Sequence, residues 1–115
     1  MVLNYFRKVK DGDLHGLLNL FSDDSIVYEP FSKSKSLIGK LEIEFFLKTV
    51  VMANEGMQYE IKIESEEHSN NKNKIVTLVT FHKGDSIRSR FIFETEYINE
   101  LNQSRIKTLR IEFID

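Results

Sequence analysis

Few residues in this chain are suited to chemistry, and the most informative is Glu29, which stands directly before the single proline in the stretch VYEPF, residues Val27 to Phe31. A carboxylate among apolar neighbours acts as a general base when it sits at the mouth of a cavity, within reach of a proton on a bound molecule. The same group in water is a solvated strand end beside Lys33 or Lys35. Alternation puts Glu29 on the face of Val27 and Phe31, opposite Ile26 and Tyr28; both faces are apolar, so both readings stand. The other reactive residue types form no constellation. His15, His68 and His82 are far apart without ligand spacing, and Asp23-Asp24 reads as a turn and cap rather than a metal pair. There is no cysteine, and no nucleophile elbow, phosphate-binding loop or dinucleotide fingerprint. No metal and no cofactor are therefore expected.

Such a carboxylate needs a scaffold, and composition bounds what that scaffold is. A chain of 115 residues has the size of one domain, 1–115, burying roughly two-thirds of the surface its unfolded form exposes. With 41% hydrophobic and 11% aromatic residues, including 9 Phe and 4 Tyr, it has the side chains for a core and for the walls of a pocket. Net charge is −2 with Lys and Arg dispersed among Asp and Glu, which argues against nucleic acid or an anionic membrane as partner. The N-terminal stretch lacks the apolar run of a signal peptide, no segment has the ~20 apolar residues of a membrane span, and the lack of cysteine fits a reducing compartment. The expectation is a cytoplasmic protein.

The elements follow from periodicity. Val2, Tyr5, Phe6 and Val9 recur at helical spacing, with Gly12 placed to end that helix. Asp13 can cap a second helix carrying Leu14, Leu17, Leu18 and Phe21. FSDDS breaks it, SIVYEP reads as a strand ending at proline, and FSKSKSLIG reads as a loop. A third helix has Ile43, Phe46, Leu47 and Val50 on one face. From Met57 onward the period changes to two, and four strands follow, joined by turns at SNNKNK, HKGDS and NELNQS. Three helices and an early strand followed by an antiparallel meander make an α+β domain. Strands of about nine to eleven residues are long enough for the sheet to curl into a cone around the helices.

The block GDLHGLLNLFSDDSIVYEP, with Gly39 before the third helix and Arg105-Ile106 opening the last strand, resembles the nuclear transport factor 2-like superfamily, in particular its SnoaL-like and ketosteroid isomerase-like branch. The resemblance covers almost the whole chain and implies a cone-like curved sheet packed against three N-terminal helices, a cystatin-like α+β barrel. Carried over position by position, it puts the family's catalytic tyrosine on Tyr5 and its general-base aspartate on Glu29. Its third, protonated aspartic acid falls at or beside Thr95, so that acid is missing unless Glu94 or Glu96 takes its place. Tyr5 also reads as a core aromatic. Removing a proton next to a carbonyl takes a carboxylate base and donors aimed at the developing oxyanion. A threonine hydroxyl is a weaker donor than a carboxylic acid, which counts against steroid-type isomerisation more than against a cavity.

The aromatic and aliphatic residues Phe31, Phe46, Val50, Tyr59, Phe81, Phe91, Phe93, Tyr97, Leu109 and Phe113 are the candidate lining of that cavity. The expected ligand is a small hydrophobic molecule with a carbonyl, handled by an isomerase- or cyclase-like enzyme. The alternative is a non-catalytic dimeric binding or scaffold module whose cone its own phenylalanines fill. Arg88, Arg90, Glu94 and Glu96, interleaved with Ile92, form an outward face of mixed sign, through which members of the resembling superfamily commonly dimerise. A homodimer is expected.

Overall fold

A computed structural model of the chain describes residues 1–30 and 36–114. Helix α1 (Val2–Asp11) buries Val2, Tyr5, Phe6 and Val9 on one stripe, the face the sequence spacing predicts. It stops at Gly12, whose φ of 69° lies in the left-handed region, and the Asp13 N–H then donates to the Lys8 carbonyl at 2.9 Å. The Asp13 carboxylate accepts from the Gly16 N–H at 2.9 Å and so caps the short helix α2 (Leu14–Asn19). Gly16 is needed for that cap: a Cβ there would lie 2.3 Å from the Asp13 carboxylate. Helix α3 (Gly39–Ala53) turns Ile43 and Leu47 fully into the core.

The strands are β1 (Phe21–Tyr28), β2 (Ser36–Ile38), β3 (Gln58–Ser69), β4 (Lys72–Lys83), β5 (Asp85–Ile98) and β6 (Gln103–Phe113). They form one six-stranded sheet in the order β2-β1-β6-β5-β4-β3. The meander from β3 to β6 is antiparallel as expected, but β1 runs parallel to β6, so the sheet is mixed. The expected break at FSDDS is instead a bulge within β1. Phe21 pairs with Ile106 and Ile26 with Thr108, and the residues between loop out, with the Ser25 hydroxyl bonded to the Ser22 carbonyl at 2.8 Å. The end of the expected loop FSKSKSLIG is β2, which pairs antiparallel with β1 from Ile26↔Ile38 to Tyr28↔Ser36.

Alternation along the strands sorts their side chains. Val27, Val79, Phe93, Ile106 and Leu109 point inward and are fully buried against Tyr5, Phe6, Leu17, Ile43 and Leu47 from the helices. Each such burial stabilises the fold by roughly 1.5–3 kcal/mol. Further bulges lie between Ile63 and Ser65 and between Glu94 and Thr95, and they add curvature to strands already long enough to coil. The Tyr59 hydroxyl donates to the Phe6 carbonyl at 2.7 Å and ties β3 to α1. Among the described residues no helix is long and apolar enough to cross a membrane.

Candidate functional site

Where α3 leaves the curved sheet, near the start of β5 and the end of β6, a cavity of about 560 Å³ opens. Its walls are apolar, with Phe46 and Val50 from α3 facing Phe81, Phe91 and Ile111 of the sheet. Phe45, Ile87 and Phe113 line it as well and are each more than half exposed, so they form its mouth.

Glu29 reaches this cavity through strand register. Val27 pairs with Leu109 and Tyr28 with Arg110 on the parallel neighbour β6. Val27 and Glu29 therefore face inward, with 0% and 4% of their surface exposed. Tyr28 faces the other way, where the Arg110 guanidinium lies 4.2 Å from its ring centre. Ile111 continues the inward face of β6 and pairs with Phe91 of β5, whose ring lies 6.4 Å from that of Tyr5. This connects the carboxylate on the sheet to the phenol on the helix.

Tyr5 is 1% exposed, its ring enclosed by Phe6, Phe21, Phe91 and Phe93 at centroid distances of 5.0 to 6.5 Å. Its hydroxyl has no hydrogen-bond partner among the described residues. Burial pushes the Tyr5 hydroxyl far above the usual tyrosine range, with nearby Tyr59 adding to the effect. It is therefore a neutral donor at any physiological pH.

Sequence comparison finds no matching protein-family model and no matching curated protein. Solved structures do match. A nuclear transport factor 2-like protein of unknown function from Pseudomonas putida KT2440 superposes with a TM-score of 0.83 at 13% identity, over 96% of this chain and 80% of that one. The chain has the nuclear transport factor 2-like fold. A ketosteroid isomerase-like protein from Erwinia carotovora atroseptica SCRI1043 matches with a TM-score of 0.80 at 11% identity, over 99% and 91% of the two chains. A protein of unknown function with a cystatin-like fold from Nostoc punctiforme PCC 73102 gives 0.76 at 12% identity, over 98% and 85%. At such identities the likeness establishes the fold alone.

On this nuclear transport factor 2-like scaffold, Glu29 and Tyr5 share one cavity, whereas Thr95 does not join them. Thr95 lines a separate depression of about 240 Å³ with Lys72, Glu94, Glu96 and Lys107. Of the residues expected to line the cavity, Phe46, Val50, Phe81, Phe91 and Phe113 do so. Phe93 and Leu109 are instead fully buried core, because alternation gives them the inward face at a depth where Tyr5 already fills the space. Tyr59 spends its hydroxyl on the Phe6 backbone, and Tyr97 sits near the far end of β5 with its hydroxyl on Asn102. Phe31 lies outside the described residues.

Sequence reasoning missed several lining residues, among them Ile87, Ile111 and the buried polar Ser89. Ser89 is 2% exposed and lines the cavity from β5, on the same face as Phe91. Extending the alternation of Phe93 and Phe91 one step back would have found it. Among the described residues no cluster of His, Cys, Asp or Glu is arranged to hold a metal ion.

Proposed function

We propose that this protein binds a small hydrophobic carbonyl compound and removes a proton from the carbon next to the carbonyl, as a SnoaL-like or ketosteroid isomerase-like enzyme would. The observation that carries the reading is the pairing in one apolar cavity of a buried carboxylate, Glu29, with a buried hydroxyl that has no hydrogen-bond partner among the described residues, Tyr5. Glu29 takes the proton; the C–H electron pair moves into the new C=C bond and the carbonyl pair onto oxygen. The Tyr5 hydroxyl donates a hydrogen bond to that developing oxyanion, a role that needs a neutral donor held away from water. Where the substrate carries a C=C bond beyond the deprotonated carbon, the product of this step is a dienolate; protonated Glu29 then returns its proton to the far carbon of that system while the oxyanion pair re-forms the C=O bond, which completes an isomerisation. The apolar walls position the skeleton and exclude water.

Glu29→Gln removes the base at nearly constant shape. It is expected to abolish most turnover of a hydrophobic ketone while leaving the far-ultraviolet circular dichroism and thermal midpoint close to wild type; unchanged turnover would sink the assignment. A ligand for the native state raises the midpoint, so a thermal-shift screen of hydrophobic ketones finds the substrate class first.

A second reading, a binding module without catalysis, draws support from the position of Thr95 outside the cavity, which leaves the oxyanion with fewer strong donors. In either case we place a homodimer contact on the outer face of β4 to β6. There half-buried Val76, Leu78 and Ile92 are flanked by charges of both signs, which suits a self-complementary contact. The cysteine-free composition suits a reducing compartment such as the cytoplasm.

A further inference from the structure

We propose that Ser89 is a specificity-determining residue whose hydroxyl bonds a second neutral oxygen of the ligand, on the part of the molecule nearer the mouth. The compound that fits is then a hydrophobic ketone carrying a further hydroxyl or carbonyl, not a skeleton with one carbonyl alone. This inference rests on the reading of the cavity as a ligand site and narrows the class of compound that enters it. Ser89 is 2% exposed and lines the cavity, and its hydroxyl makes no hydrogen bond among the described residues. Apart from Tyr5, the other hydroxyl and amide side chains of the described lining are engaged with the backbone. Thr49 donates to the Phe45 carbonyl at 3.2 Å, and the Asn54 amide donates to the Val50 carbonyl at 2.7 Å.

Strand β5 sets Phe93, Phe91, Ser89 and Ile87 in succession on one face. The Tyr5 ring packs 5.5 Å from that of Phe93 and 6.4 Å from that of Phe91. Ser89 is the next residue of this face beyond Phe91, roughly 7 Å along the strand. It pairs with Phe113, which together with Ile87 forms the mouth. The serine therefore stands on the mouth side of the tyrosine ring, and a ligand whose carbonyl meets the Tyr5 hydroxyl passes Ser89 on its way out. Its partners across the sheet, Val79 and Phe113, are apolar, so in this row of β4 to β6 the polar side chain is the serine. A hydrocarbon lying here would strip water from the hydroxyl and put nothing in its place, whereas a ligand oxygen at that point restores the bond. A serine hydroxyl both donates and accepts, so it suits a hydroxyl or a carbonyl on the ligand.

The test compares two ligands of one skeleton, 2-acetonaphthone and 6-hydroxy-2-acetonaphthone, titrated calorimetrically into the full chain at neutral pH. The extra hydroxyl changes the hydration of the free ligand as well, so the decisive quantity is how the ratio of the two affinities responds to Ser89→Ala. That substitution is expected to weaken the hydroxylated ketone about fivefold, the worth of one neutral hydrogen bond, and to leave the parent ketone unchanged. Tyr5→Phe should weaken both ketones alike, because both carry the carbonyl. Ser89→Cys keeps the bulk with a much weaker hydrogen-bonding group and gives the same comparison should the alanine variant fold poorly. An affinity ratio that is the same in the wild type and the Ser89 variants, or an equal loss for both ketones, overturns the role of Ser89 and leaves the ligand site standing. Failure of both ketones to bind the wild type removes the ligand site and this proposal together.

Discussion

The Tyr5 hydroxyl and the Glu29 carboxylate, one on helix α1 and the other just past the end of strand β1, are both buried and both line one apolar cavity, and among the described residues that hydroxyl has no partner. An unsatisfied buried hydroxyl costs a fold about 1–3 kcal/mol relative to an apolar group of the same shape. Tyr5→Phe is therefore expected to raise the unfolding free energy by about 1 kcal/mol in urea titrations while weakening the binding of a hydrophobic ketone. A less stable variant with unchanged ligand affinity would show that the hydroxyl serves the fold and not the site.

Stability at high pH offers a separate check on the same group. The ordinary tyrosine value is 10.0, and burial raises that of Tyr5 well above it in the folded chain. Below pH 10.0 both states keep the proton, so Tyr5 contributes no slope there. Above it the unfolded chain releases its proton while the folded chain holds it, so stability falls as pH rises. Tyr59, raised by burial and by Asp11, acts in the same direction. Unfolding free energy measured from pH 9 to pH 11 should decline in the wild type and decline less steeply in Tyr5→Phe; parallel curves would contradict the burial argument.

What the sequence could and could not reveal divides along physical lines. Periodicity exposed the helices, since Val2, Tyr5, Phe6 and Val9 repeat on one face, and Gly12 and Asp13 carry their own stop and start signals. It also exposed the meander, because alternation and turn residues are local. The parallel pairing of β1 with β6 was illegible, as nothing in VYEPF states which distant strand will lie beside it. The bulge at Ser22–Ser25 looked like a break for the same reason: its loop-like residues are held in a strand by a partner far along the chain. For Glu29 the facing was ambiguous because both faces of β1 are apolar, and only the pairing of Val27 with Leu109 resolves it inward. Depth was hidden too: Phe91 and Phe93 are equivalent in pattern, yet one borders the cavity and the other lies beneath Tyr5.

That difference in depth predicts different phenotypes for similar substitutions. Phe93→Ala empties a fully buried site and is expected to cost about 3–5 kcal/mol in chemical denaturation. Phe46→Ala enlarges a space that is already open and should cost less, while shifting preference toward bulkier ketones. If the two variants lose equal stability and Phe46→Ala leaves ligand preference unchanged, the division between core and cavity is misplaced.

The outer face of the sheet yields the last prediction. Arg90 of β5 bridges to Glu64, in the β3 bulge, at 3.0 Å across the intervening β4, so acid and base already alternate over an apolar strip there. In a two-fold contact each residue of that strip meets its own counterpart or a neighbour, and a new charge at its centre is buried twice. Ile92→Glu adds such a charge at a half-buried outward position. Analytical ultracentrifugation should show a dimer for the wild type and a monomer for Ile92→Glu, with the thermal midpoint of the variant lowered and independent of protein concentration. A dimer that survives Ile92→Glu unchanged would move the interface off this face.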